Sequence, residues 1–281
     1  YLVFRVLSLI APKTPPTVAY RILGWVGDLA YRLLSRQRSN VQRNLSVVLN
    51  SDTEGADILA REVFREGARY YYDNFRIPSL SDEELEEAIH LEGWENLEGG
   101  LAKGKGVVLV SAHLGSPVLV AQILAARKLK VVSVVEAISP PQLLDLMVRI
   151  RGSRGIRLVP FHSNIVRELT ESLERNEIVG LVADRDIQKN GVPVLFFGRE
   201  TTIPIGPIML AIRTGATVIP AFTYRNGDNR FLAHIGSPLE LERTGKLKDD
   251  IRINTQRLAG IMEKAISAKP EQWIVFEPVW S

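Results

Sequence analysis

Two hydrophobic periods run along this chain, and the change from one to the other marks its main division. As far as about residue 80 the apolar positions recur at helical spacing. In VAYRILGWVGDLAYRLL they are Ile22, Trp25, Val26, Leu29 and Leu33. RQRSNVQRNLSVVL predicts a second helix, and GADILAREVFREGARYYYDNF a third, with Ile58, Leu59, Val63, Phe64 and Tyr70 or Tyr71 as its stripe. LSDEELEEAI opens a short helix with Ser81 as N-cap and Glu84 completing a capping box. From Gly106 onward, short β-branched runs alternate with helical stretches. Strands are predicted at VVLVSA, VVSVVE, IRLVP, IVGLVA, VPVLFF, TVIPAFTY and FLAHIG. Helices are predicted at SPVLVAQILAARK, SPPQLLDLMVRIRGS, SNIVRELTESLERN, GPIMLAIRTG and DDIRINTQRLAGIMEKAIS. Strand followed by helix, repeated, implies a buried and mostly parallel mixed sheet flanked by helices. The fold class is therefore α/β: a core over residues 81–281, preceded by N-terminal helices over residues 1–80 that pack on it.

Composition narrows the chemistry. With 281 residues, 46% of them hydrophobic, the chain can bury a sizeable core, which excludes a disordered protein. It has no cysteine, so disulfides, thiolate nucleophiles and cysteine-ligated zinc are excluded. Four histidines, His90, His113, His162 and His234, argue against a multi-histidine metal centre. A net charge of +3 is too small for a nucleic-acid binder, but the charge is unevenly placed. From Tyr1 to Asn50, Arg5, Lys13, Arg21, Arg32, Arg36, Arg38 and Arg43 face only Asp28, whereas Ser81 to Gly100 carries eight acids and no Lys or Arg. The cationic end suits an anionic membrane surface, and a helix with Trp25 on its apolar stripe can lie in the interface. The same stripe equally fits a helix packed on its own domain. No apolar run reaches the roughly twenty residues that span a bilayer, so no crossing is expected. The chain does not begin with Met, which leaves open whether a longer N-terminal anchor was removed.

The most informative segment is GKGVVLVSAHLGSPVLVAQIL. His113 ends a buried strand, Gly115 permits a tight turn, and Ser116-Pro117 supplies an N-cap with proline at the first helical position. The carboxyl end of a strand is where ligands bind in open α/β sheets, and an imidazole held there can take up and return a proton. A core histidine is the plain alternative. Asp184, Arg185 and Asp186 follow the strand IVGLVA and emerge at the same edge. Arg185 can hold a phosphate oxygen, while Asp184 or Asp186 supports it or the histidine; a structural ion pair is the competing reading. Arg199, Thr201 and Thr202 lead to Pro204, Gly206 and Pro207, where a helix N-terminus can receive an anion or an oxyanion. Glu136 ends another strand at this edge. His162 reads as a turn residue, and His90 and His234 carry no signal. No phosphate-cradling glycine loop is present; GKG at residues 104–106 precedes a strand instead of following one, which argues against a nucleotide-binding enzyme.

Taken together these blocks resemble the bacterial lipid A biosynthesis acyltransferases, including the phosphatidylinositol mannoside acyltransferases. The similarity runs over nearly the whole chain, through RSNVQRNL, GWENLEGGLAKGKGVVLVSAH, ADRDIQKNGVPVLFFGRETTIPIGPIMLAIRTGATVIPAF and PEQWIVFEPVW. The resemblance implies a membrane-surface enzyme that moves a fatty acyl chain from acyl-CoA or acyl carrier protein to a glycolipid hydroxyl, with His113 as general base and no cofactor or metal. It places the protein at the cytoplasmic face of the bacterial inner membrane. It makes Glu136, Asp184 and Asp186 candidate catalytic acids, and Arg185, Ser116, Arg199 and Gly206 candidate substrate contacts, beside an apolar groove for the acyl tail. The family pattern carries Asp or Glu five residues after the histidine, to orient its ring; this chain has Val118 there. Three readings follow: Glu136, Asp184 or Asp186 replaces that acid; the chain is an inactivated variant; or it binds lipid without turning it over.

Overall fold

A computed structural model describes residues 2–50, 52–136, 139–227 and 230–280. The chain opens with α1 (Leu2–Ile10), α2 (Pro16–Leu33), α3 (Ser35–Val48) and α4 (Thr53–Arg76). Proline at the first position starts α2, and the Asp52 carboxylate starts α4 by accepting from Gly55 N at 2.9 Å. Next comes α5 (Asp82–Ala88), where both halves of the Ser81–Glu84 capping box form. The core continues through β1 (Ile89–Glu92), α6 (Trp94–Leu101), β2 (Val107–Ser111), α7 (Pro117–Ala126), β3 (Val131–Val135), α8 (Pro141–Arg151), β4 (Arg157–Pro160), α9 (Ile165–Glu174) and β5 (Ile178–Val182). It ends with β6 (Val192–Phe196), β7 (Arg199–Ile203), α10 (Gly206–Thr214), β8 (Thr217–Arg225), β9 (Phe231–Ile235) and α11 (Leu247–Ala268).

Among the described residues, seven strands form one sheet in the order β1-β9-β8-β2-β5-β3-β4. Every neighbour pair is parallel except β8 with β9. Strand β2 lies at the centre and is buried on both faces: Val108 and Val110 pack into one core cluster, Val107 and Leu109 into the other. That is why VVLVS reads as continuous apolar residues instead of an alternation.

VPVLFF departs from expectation. Instead of joining the sheet, β6 pairs antiparallel with β7 in a separate two-stranded hairpin. Phe197 and Gly198, with φ of 51° and 70°, form its two-residue turn, and two successive positive φ angles give the turn whose twist matches a hairpin. Strands β1 and β7 have no counterpart among the predicted elements. Their sequences, IHLE and RETTI, are short and polar, and each becomes a strand through its partner.

The N-terminal helices are bound to the core by polar anchors. Asn40 and Asn44 of α3 donate to the carbonyls of Phe276 (3.0 Å) and Glu277 (2.8 Å), and Asn44 accepts from Val279 N (3.2 Å). Buried Arg225 of β8 donates to Glu66 (2.9 Å) and to Asp73, both on α4, while Tyr20 of α2 donates to the same Asp73 at 2.6 Å. Helix α2 sits against α4 at Gly27, where a β-carbon would come within 2.6 Å of the Arg65 α-carbon. Its docking buries Ala19, Tyr20 and Gly27. The stripe Ile22, Trp25, Val26, Leu29 and Leu33 lies on the other side and is exposed, Trp25 by 68% and Leu33 by 70%. Of the two readings of that stripe, packing on its own domain does not hold. No helix among the described residues is long and apolar enough to cross a membrane.

Candidate active site

Strands β2 and β5 are parallel neighbours with Ser111 opposite Val182. Two residues past that pair the chains leave the sheet at its carboxyl edge with His113 beside Asp184. The ring Nδ1 lies 2.8 Å from Asp184 Oδ1, and the backbone N–H of His113 donates to Asp184 Oδ2 at 3.1 Å. The histidine side chain is 33% exposed, whereas the aspartate side chain is entirely buried. A buried carboxylate is costly unless its oxygens are occupied. A third donor, Trp273 Nε1, reaches Oδ2 at 2.7 Å. Burial alone would push this carboxyl up; the charge of His113, hydrogen bonds from its ring and from Trp273, and the His113 backbone N–H outweigh it and hold the carboxyl below its ordinary value. An ionised Asp184 accepts from Nδ1–H, and that tautomer leaves the lone pair on Nε2, the arrangement a general base requires.

The turn that presents the ring is tightly defined. Gly115 has φ of 58°, and a β-carbon there would collide with the carbonyl oxygen of Thr223. The C-terminal segment pairs with the turn on its other side: Gly115 N donates to Gln272 O at 2.9 Å, Ile274 N donates to His113 O at 2.8 Å, and Leu114 and Trp273 form an antiparallel bridge. Gln272 also bonds both backbone groups of Arg225, at 2.7 Å each. Trp273 is enclosed by Phe196, Phe197 and Trp280.

Of the three candidate acids, only Asp184 meets the ring. Glu136 follows β3, is exposed, and makes no hydrogen bond or ion pair among the described residues. Asp186 has another task, accepting the backbone N–H groups of Asn190 (3.2 Å) and Gly191 (2.9 Å) to close its loop. Arg185, next to the buried aspartate, is half-buried and unpaired among the described residues. Arg199 is exposed on the β6–β7 hairpin, and Gly206 opens α10 with no atom within 4 Å of the space above its α-carbon; neither is bonded to the His113–Asp184 pair. The N-cap reading of Ser116 is corrected: its hydroxyl does not cap α7 and has no partner among the described residues, and the residue is fully buried. The N-terminal turn of α7 is closed instead by Leu119 N donating to Ser116 O at 2.9 Å. Val118 packs half-buried against the core beneath the sheet.

Two cavities among the described residues lie away from the His113 edge, where the acyl groove is expected. One of about 300 Å³ lies at the amino edge of the sheet, lined by Asp82, Lys128, Leu129 and Arg154 among others, and a smaller one lies under Ile77, Leu85 and Phe231. Exposed apolar side chains do occur on the His113 edge, at Val182 ending β5, Phe161 following β4, and Ile187.

Sequence reasoning missed Trp273 and Gln272. The available signal was chemical: a buried indole must place its single N–H on an acceptor, and PEQWIVFEPVW carries such a tryptophan in an apolar run.

The family model described as "Bacterial lipid A biosynthesis acyltransferase" matches residues 1–281. The chain is 30% identical over 217 residues to the phosphatidylinositol mannoside acyltransferase of Mycobacterium tuberculosis strain H37Rv, covering 75% of this chain and 67% of that protein. It is 30% identical over 244 residues to the protein of the same name from Mycolicibacterium smegmatis, covering 85% and 78%.

Proposed function

Because the chain belongs to the bacterial lipid A biosynthesis acyltransferase family and is an acyltransferase, we propose that it moves a fatty acyl group from a thioester to a hydroxyl of a glycolipid, with His113 as the base. The observation that carries this reading is the ring of His113, one-third exposed and tied by Nδ1 to a buried, ionised aspartate. The acceptor hydroxyl gives its proton to Nε2 as its oxygen attacks the thioester carbonyl. The tetrahedral intermediate then expels the thiolate, which recovers the proton from the imidazolium. Asp184 keeps the ring in the productive tautomer and stabilises the imidazolium between the two steps.

Acyl-CoA or acyl carrier protein supplies the thioester. Arg185, unpaired among the described residues, supports a contact to a phosphate of the donor, and Phe161, Val182 and Ile187 support contact with an acyl chain. Similarity to the phosphatidylinositol mannoside acyltransferases favours a phosphatidylinositol mannoside as acceptor over a lipid A precursor. Helix α2 supports work on a bilayer surface: its apolar stripe is exposed, and Arg21, Arg32 and Arg36 lie in or beside it. A peripheral or singly anchored position at the cytoplasmic face of the inner membrane fits work on such a lipid acceptor. Val118 favours a non-catalytic lipid binder, whereas the contact of the His113 ring with Asp184 supports the enzyme reading.

The test is release of free thiol from long-chain acyl-CoA in the presence of phosphatidylinositol mannoside. Turnover by this chain with a loss of at least about 10³-fold in His113→Ala is expected. Equal turnover by the two proteins would end the proposal.

A further inference from the structure

Trp273 contacts both the histidine turn and the buried aspartate. Its backbone faces the turn: residue 273 bridges Leu114, and its neighbours bond Gly115 N and His113 O. Its side chain reaches the acid, placing the indole N–H 2.7 Å from Asp184 Oδ2. Every oxygen of that carboxylate is thereby assigned, Oδ1 to the ring and Oδ2 to the His113 backbone and the indole. An indole donates only and does not ionise near neutrality, so it fixes which oxygen is left for the ring. The indole is itself immobilised, 2% exposed and surrounded by Phe196, Phe197 and Trp280.

We propose that Trp273 is a positioning residue for acyl transfer, setting the orientation of the Asp184 carboxylate and through it the tautomer and aim of the His113 ring. This rests on the reading of His113 as the base. Other charged groups near the pair do not duplicate the contact. Among the described residues Arg185 is unpaired, Asp186 is taken up by its own loop, Glu136 is exposed, and Glu263 accepts from Phe197 N at 2.5 Å.

The contact is testable first in the unsubstituted protein. The indole proton resonance of Trp273 is expected to move with pH at the same midpoint as the ring protons of His113; an indole resonance indifferent to that titration overturns the proposal. Trp273→Phe keeps an aromatic ring but removes the donor. It is expected to lower kcat about tenfold with KM changed less than about twofold, the scale of one charge-assisted hydrogen bond. In an Asp184→Asn background the same substitution should cost less than about threefold more, because it acts through that carboxylate. Losses that simply multiply would show a packing role and overturn the assignment. Phe64→Leu, which loosens an aromatic contact of the N-terminal helices that involves neither Trp273 nor the pair, should lower Tm and leave kcat within about threefold. If His113→Ala keeps full activity, the base reading fails, whereas the shared titration of Trp273 and His113 still reports on the geometry.

Discussion

His113 and Asp184 stand 71 residues apart in sequence and 2.8 Å apart in space, each two residues beyond a register pair of adjacent parallel strands. The register of β2 against β5 therefore sets the distance between base and acid, and a slip of one residue would point one of them away. An amide at position 184 would face three N–H donors with one acceptor oxygen and would favour the wrong ring tautomer. Asp184→Asn is expected to retain the fold with reduced stability and to lose about 10³ to 10⁴-fold in kcat, measured as thiol release alongside a thermal melt.

Val118→Glu restores the acid that the family pattern carries five residues after the histidine. Since Asp184 already occupies Nδ1, this change is expected to give no increase in turnover. It places a charge on a half-buried site against the core, at a cost of about 1–3 kcal/mol. A rise in kcat above the parent would show that Asp184 is not the working partner.

Gly115→Ala combines a left-handed backbone with a collision against Thr223 O. The left-handed conformation alone costs about 1–2 kcal/mol for a residue with a β-carbon. The turn has to shift to relieve the clash, so activity should fall more steeply than stability. Denaturant melts and kcat on the same preparation check this, and a variant that melts lower but turns over normally would contradict it.

Replacing Trp25 and Leu29 of α2 with glutamate changes two exposed side chains that make no core contact. Stability should stay within about 0.5 kcal/mol per site, while co-sedimentation with anionic vesicles falls about tenfold or more. Binding of the parent should weaken with added salt, because the flanking arginines act through screened charge. Sedimentation unaffected by the double substitution would remove α2 from the membrane-facing surface.

Asp28 joins α2 to α4 through Arg61 and Arg65, at 2.6 Å and 2.7 Å. Hydrogen bonds from Arg61 and Arg65 hold its carboxyl well below the usual carboxylate range. A carboxyl depressed on folding contributes stability above its unfolded value, near 4, and loses it as pH falls through the lower folded value. Asp28→Asn should accordingly lower Tm modestly at pH 7, and the difference should close as the solution is made strongly acidic. A gap that widens on acidification would contradict the assignment.

The amino-acid sequence alone determined the local elements that are periodic or capped: helices α2 to α4, the Ser81–Glu84 box, the buried strand VVLVS and the turn at His113 and Gly115. These rest on short-range physics, namely which side of a helix is apolar, which hydroxyl reaches the next turn, and which residue tolerates positive φ. Tertiary structure decided the rest. Three acids close a strand or follow one, and sequence weighs them alike; only the order β2-β5-β3 puts Asp184 beside the ring and leaves Glu136 a strand further on. Ser116 has the composition of a cap but is carried into the core, and β1 and β7 become strands only because β9 and β6 lie beside them. Trp273 lies 160 residues downstream of the histidine and acquires its role when the C-terminal segment folds back onto the turn. Spacing along the chain encodes neither strand order nor that return, because both are fixed by which buried surfaces the folded protein brings together.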